Sequence, residues 1–99
     1  MLKHSELSKK IIAGAYNVHK ELGYGFLEKV YKNALNLELQ EMGLKRAVEV
    51  PLKVLYHGKV VGDYYADMIV DDKIIVEVKA VSDLEPMHEV QLVNYLKAT

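Results

Sequence analysis

Charged side chains lie inside an otherwise apolar stretch between residues 67 and 79 of this 99-residue chain. Asp67 begins one apolar run, and Glu77 and Lys79 end the next. In a strand, side chains alternate between the two faces, so Glu77 and Lys79 project from the same face. Because burying charge is costly unless it is paired or binds a metal, these residues require an explanation.

A hairpin brings the two carboxylates together. If the chain turns at Asp71-Asp72-Lys73, Asp67 returns opposite the region of Glu77. Hard divalent cations such as Mg²⁺ prefer a few carboxylate oxygens together with water and phosphate oxygens. A neighbouring ammonium group can orient an attacking water or stabilise a charged transition state. These residue types therefore outline a site that cleaves phosphodiesters.

The same residues have a purely structural interpretation. A Glu-x-Lys tripeptide arises by chance in a chain of this composition, so alone it is a weak signal. Glu77 and Lys79 could form an ion pair on a half-solvated sheet. The upstream Asp67 at hairpin distance, and the elements around it, favour the functional interpretation.

Two amphipathic helices precede the hairpin. Apolar residues recur at steps of three and four over Ser5 to Leu22, which predicts the first helix, and Gly23 can end it. A second helix is predicted from Gly25 to about Met42, with Gly43 placed to end it. Glu28 falls in its first turn. That carboxylate either complements the helix dipole or points at a metal from across the sheet.

The period then changes to that of strands. Alternating apolar residues over 48–54 predict a strand, and Pro51 suggests an edge position or a bulge. A turn over 56–59 leads to a strand over 60–70 and, after the polar tip, to a third strand over 73–80.

A third helix is predicted after the last of these strands. The Ser-x-x-Glu capping box of residues 82–85 and Pro86 suit a helix start. His88, Gln91 and Tyr95 would share one face of that helix. Since this helix follows Lys79 directly, Gln91 could lie against the same site.

Composition narrows the class of protein. With 99 residues, of which 51% are hydrophobic, the chain is expected to form one domain over residues 1–99. Cysteine is absent, which excludes disulfides and thiolate chemistry. The sequence has no membrane-spanning run and no signal peptide, which predicts a soluble cytoplasmic protein. The net charge of −1 argues against a stand-alone nucleic-acid binder of high affinity, and less against a metal enzyme.

Four motifs in this order resemble one nuclease family. Gly25-Phe26-Leu27-Glu28-Lys29-Val30-Tyr31 fits the Gly-x-x-Glu-x-x-Tyr signature of the GxxExxY proteins, a branch of the PD-(D/E)XK nuclease superfamily. The other motifs are Ala66-Asp67, the segment 75–80 and the segment 88–97. The likeness covers about Leu7 to Thr99.

The resemblance implies a fold and a set of roles. The fold would be an α/β restriction-endonuclease-like core in the order ααβββα, with a mixed sheet of about three strands flanked by helices. Asp67, Glu77 and Glu28 would ligate Mg²⁺ or Mn²⁺, and Lys79 would orient the nucleophilic water. Gln91, and less directly Tyr95, would support the site. Ala66 stands where the superfamily has proline.

Two functions stay open at this point. One is hydrolysis of a phosphodiester in DNA or RNA, and the other is a non-catalytic accessory or assembly domain with the same fold. The resemblance also implies a further strand, with an Asn-Phe ending, that is absent from this chain. Either the chain is shortened at its C-terminus, or the edge of the sheet is left for another subunit to cover. Because an uncovered sheet edge invites pairing, a homodimer is expected.

Overall fold

A computed structural model describes residues 4–23, 25–79 and 89–94. In chain order the elements are α1 (His4–Leu22), α2 (Glu28–Glu41), β1 (Arg46–Tyr56), β2 (Lys59–Val70), β3 (Ile74–Lys79) and β4 (Glu89–Asn94). The strands form one sheet in the order β1-β2-β3-β4, and every neighbouring pair is antiparallel. Within these residues, no helix combines the length and the apolar character needed to cross a membrane.

The two helices pack closely because one residue at their contact is glycine. A Cβ atom at Gly14 would lie 3.0 Å from the Cδ2 atom of Leu39, so a larger residue would require the Leu39 side chain to shift. Helix α2 ends in a Schellman motif. Gly43 takes a positive φ of 81°, and the Leu44 N–H donates to the Leu39 carbonyl at 3.0 Å. The sequence prediction of both helices and of their glycine ends is confirmed to within a few residues.

The sheet buries apolar side chains on both faces. On the helix side, five strand residues pack with the apolar stripes of α1 and α2: Met68, Val70, Ile74, Val76 and Val78. On the other side, Ile69 and Ile75 contact Ala66, Val50 and Leu52. This double burial fixes the position of the segments that carry Asp67 and Glu77.

The alternation of faces breaks next to Asp67. Met68 belongs to the helix-side cluster, whereas Ala66, two residues earlier, belongs to the cluster on the opposite face. Residues two apart in a regular strand share a face, so β2 is distorted between these positions. The distortion extends to β1, where Glu49 takes a φ of 53° between the paired residues Val48↔Met68 and Val50↔Ala66.

Residues 89–94 differ from the sequence prediction. They form β4 beside β3, where a helix was predicted. Glu89-Val90-Gln91-Leu92-Val93 alternates polar and apolar residues, contains two β-branched valines, and supplies hydrogen-bond partners to the outer edge of β3. The predicted helix start over 82–88, and Tyr95, lie outside the described residues.

The sheet also corrects two other expectations. It has four strands among the described residues rather than about three, and it is antiparallel throughout rather than mixed. The predicted order of two helices followed by three strands is present, and β4 extends the sheet at one edge.

Candidate functional site

Asp67 lies where β2 and β3 separate. The last backbone pair between them is Met68↔Val76. Two residues further along β3, the Val78 N–H donates to the Asp67 Oδ2 atom at 2.8 Å. A side-chain carboxylate thus takes the place of a backbone carbonyl in the ladder. The bond holds the end of β3 against Asp67 and uses one lone pair of the Asp67 Oδ2 atom.

Glu77 is held one residue before that hydrogen bond. Burial raises the pKa of its carboxyl group, and the negative charge of Asp67 raises it further. The positive charges of Lys79 and Lys32 act in the opposite direction. The hairpin therefore brings Asp67 and Glu77 close enough to repel each other, as the sequence predicted, and this repulsion is the kind that a cation relieves.

Lys32 is a site residue that sequence reasoning missed. Its ammonium donates a hydrogen bond to the Glu49 carboxylate, and its Nζ lies 3.7 Å from the Asp67 Oδ1 atom. The hydrogen bond to Glu49 raises the pKa of Lys32 above its ordinary 10.5, and the charges of Glu49 and Asp67 contribute despite partial burial. The sequence spacing could have identified Lys32, because it follows Glu28 by one helical turn and lies on the same face of α2.

Glu49 was also missed, and no local signal could have found it. A left-handed backbone conformation is uncommon for glutamate, and inside a strand it is unexpected. The register on either side puts Glu49 opposite Asp67. The distortion lets a β1 residue share Lys32 with a β2 residue.

Lys32, Glu49 and Asp67 line an open cleft between α2 and the sheet, whereas Glu77 is not among the residues that line this cleft. Its volume is about 370 Å³, and its walls are Glu28, Lys29, Lys32, Asn33, Glu49, Asp67 and Val78. Glu28 is the exposed first residue of α2 and lines the cleft from the helix side. The cleft is lined by charged groups of both signs.

The remaining predicted residues lie at or near the end of β3. Lys79 is exposed, is close enough to lower the pKa of Glu77, and pairs in register with Glu89. Gln91 occupies the β4 position opposite Glu77 in the ladder, so it borders the site from a strand rather than from a helix.

Tyr31, the tyrosine of the signature, is structural. Its ring is 1% exposed, and its hydroxyl donates to the Gly23 carbonyl at 2.9 Å. The same hydroxyl accepts a hydrogen bond from the Phe26 N–H at 3.3 Å. These two bonds fix the turn that leads into α2, and so the position of Glu28 at the mouth of the cleft.

The donor set suits a hard divalent cation in chemical type. Asp67 offers its Oδ1 atom, and Glu77 offers a half-buried carboxylate that is destabilised when ionised. Mg²⁺ commonly binds one or two carboxylates and completes its shell with water and phosphate oxygens. Three or more acidic or histidine side chains do not converge into a ready-made ligand cage anywhere in the described ranges.

Of three comparisons with known proteins, one found a match. A search of curated proteins and a search of solved structures each found no match to the chain. The family model of the PD-(D/E)XK nuclease superfamily that represents the GxxExxY proteins matches residues 5–99. This match spans nearly the whole sequence and includes the signature of α2 and the carboxylates of β2 and β3. The chain therefore belongs to the GxxExxY family of the PD-(D/E)XK nuclease superfamily.

Proposed function

We propose that the protein is a metal-dependent nuclease that hydrolyses phosphodiester bonds of DNA or RNA. The observation that carries the proposal is that the carboxylates of Asp67 and Glu77 lie close enough to interact through their charges. One carboxylate is fixed by the Val78 N–H, and the other is half-buried with a raised pKa beside it. A carboxyl group whose pKa is raised by burial and by a neighbouring carboxylate is typical of functional sites. Membership of a nuclease superfamily supports the same conclusion.

Each residue has a role that follows from its position. Asp67 and Glu77 would hold Mg²⁺ or Mn²⁺, and Glu28 would add a carboxylate from the helix side of the cleft. The ion would polarise a phosphate oxygen and activate a water. Lys79, exposed beyond Glu77, is free of the core and can orient that water or contact the phosphate. Gln91 would border the site from β4.

A non-catalytic role is the second candidate, and one observation favours it. Lys32 already supplies positive charge to Glu49 and Asp67, so the acidic cluster is partly neutralised without a metal. A cluster compensated in this way can persist in a domain that serves binding or assembly. The two candidates differ in whether the cleft takes up a divalent cation.

Metal binding tests the proposal without a choice of substrate. Titration calorimetry with Mn²⁺ should give binding by the wild type and none by Asp67→Ala or Glu77→Ala. Asp63→Ala is the matched control, because Asp63 is an exposed aspartate on the same strand and should leave binding unchanged. A folded wild type that takes up no Mn²⁺ at millimolar concentration overturns the proposal and favours the accessory role.

Cleavage tests the catalytic role of Lys79. If the wild type cuts any of a panel of single- and double-stranded DNA and RNA, Lys79→Ala should lower the rate by about 100-fold or more, the usual cost of removing one group that stabilises developing charge. Lys59→Ala, an exposed lysine at the start of β2, is the control. An unchanged rate for Lys79→Ala shows that the lysine has no part in the reaction.

A further inference from the structure

We propose that Lys32 is the internal counter-cation of the site. In the metal-free protein its ammonium neutralises Asp67 and Glu49, and a divalent cation that enters the cleft displaces it from Asp67. The inference rests on the proposed function, because it concerns how the same carboxylates take up their metal. It assigns a charge-compensating role to Lys32, which lies outside the Gly-x-x-Glu-x-x-Tyr signature.

The contacts of Asp67 carry the first step. The Oδ2 atom accepts the hydrogen bond of the Val78 N–H, so Oδ1 keeps more lone-pair capacity for a metal. Oδ1 is also the atom that faces the Lys32 ammonium at 3.7 Å. Metal and ammonium therefore compete for the same side of one carboxylate.

The second step concerns the strength of that competition. The side chains of Lys32 and Asp67 are only 23% and 24% exposed, so solvent screens their interaction less than that of a surface pair. A divalent cation bound at Oδ1 would lie within a few ångströms of the ammonium, where like charges repel even in a polar medium. The lysine must move for the metal to bind well.

Glu49 is the partner that the Lys32 ammonium can keep when it leaves Asp67. Its carboxylate is 56% exposed and already accepts the hydrogen bond from Lys32. The long flexible stem of lysine allows the ammonium to keep this partner while it gives up Asp67. Glu49 therefore holds the displaced cation and lowers the cost of metal entry.

Mn²⁺ affinity distinguishes this role from a merely structural one. Lys32→Met should bind Mn²⁺ about tenfold more tightly than the wild type, because the competing charge is gone. A lysine that only supports the fold would lower the affinity when removed. Lys32→Arg keeps the charge, and its Mn²⁺ affinity should stay near that of the wild type.

Lys45→Met is the control, since Lys45 pairs with the exposed Asp72. Circular dichroism must show each variant folded, and Lys32→Gln replaces Lys32→Met if the latter is not.

A double-mutant cycle tests the part played by Glu49. With Lys32 present, Glu49→Gln should weaken Mn²⁺ binding severalfold, because the displaced ammonium has lost its second partner. In the Lys32→Met background the same change should have little effect. An equal loss of Mn²⁺ affinity in both backgrounds would mean that Glu49 acts on the metal directly. This result overturns the claim that the displaced Lys32 ammonium pairs with Glu49.

The outcomes separate this inference from the proposed function. If the wild type binds Mn²⁺ and Lys32→Met binds it equally or more weakly, the inference is overturned and the nuclease proposal stands. If neither protein binds Mn²⁺, the nuclease proposal fails, and displacement by a metal fails with it. Tighter binding by Lys32→Met, with no change in Lys45→Met, supports both.

Discussion

The long hairpin of β1 and β2 has two halves that differ in their surroundings. In the proximal half, residues 46–50 pair with 66–70, helices cover one face, and β3 pairs with Met68 to Val70. In the distal half, residues 51–56 pair with 59–65, and seven large apolar side chains are exposed: Val54, Leu55, Tyr56, Val60, Val61, Tyr64 and Tyr65. One pair of strands thus provides a packed support at one end and a surface at the other.

The halves also differ in how they pair charge. In the distal half, Lys53 lies opposite Asp63, which is a favourable arrangement of opposite charges. In the proximal half, the register puts Glu49 opposite Asp67, two like charges, and Lys32 from α2 must compensate for them. A fold selected only for stability would favour the distal pattern. The proximal pattern is the kind of local conflict that proteins retain at functional sites.

The largest expected effect tests the packing difference. Met68→Ala removes a fully buried side chain between the sheet and the helices, and should lower the free energy of unfolding by about 2–5 kcal/mol. Val61→Ala, in the exposed distal half of the same strand, should cost no more than about 0.5 kcal/mol. Urea unfolding measures both. Similar losses in the two variants would show that the distal half is as well packed as the proximal half.

An intermediate effect isolates the hydrogen bond at the point where β2 and β3 separate. Asp67→Ala and Asp67→Asn both remove the charge, but only asparagine keeps an oxygen for the Val78 N–H. Asp67→Ala should therefore be less stable than Asp67→Asn by about 1 kcal/mol. The corresponding pair of variants at Asp63 should be nearly equal in stability. A negligible difference at Asp67 would show that this bond does not hold the end of β3.

Sequence patterns predicted the parts of the site that depend on local order. The helical stripes located α1 and α2, and the polar tip at residues 71–73 correctly brought Asp67 to Glu77. Lys32 and Glu49 depend on how α2 lies over the sheet and on a backbone distortion, and neither is encoded in a short pattern. Residues 89–94 suit both a helical and a strand period, so the pairing with β3 decided their structure.

The smallest expected effect concerns Glu77 and depends on pH. Burial and the charge of Asp67 raise the pKa of Glu77 in the folded protein above its ordinary 4.5. The folded state then holds this proton more tightly than the unfolded state, so ionising Glu77 costs stability as pH rises through the folded pKa. The window begins near 4.5 and extends upward, the reverse of the usual carboxylate behaviour.

Replacing Glu77 by glutamine should reveal that cost. Glu77→Gln should be more stable than the wild type at neutral pH, because it cannot ionise beside Asp67. The difference should vanish below about pH 4, where the wild-type carboxyl group is protonated in both states. Urea unfolding across this range measures it, with Asp63→Asn as the distal control. A variant less stable than the wild type at neutral pH would mean that Lys32 and Lys79 fully compensate the two carboxylates, and that the proximal half stores no charge repulsion for a metal to relieve.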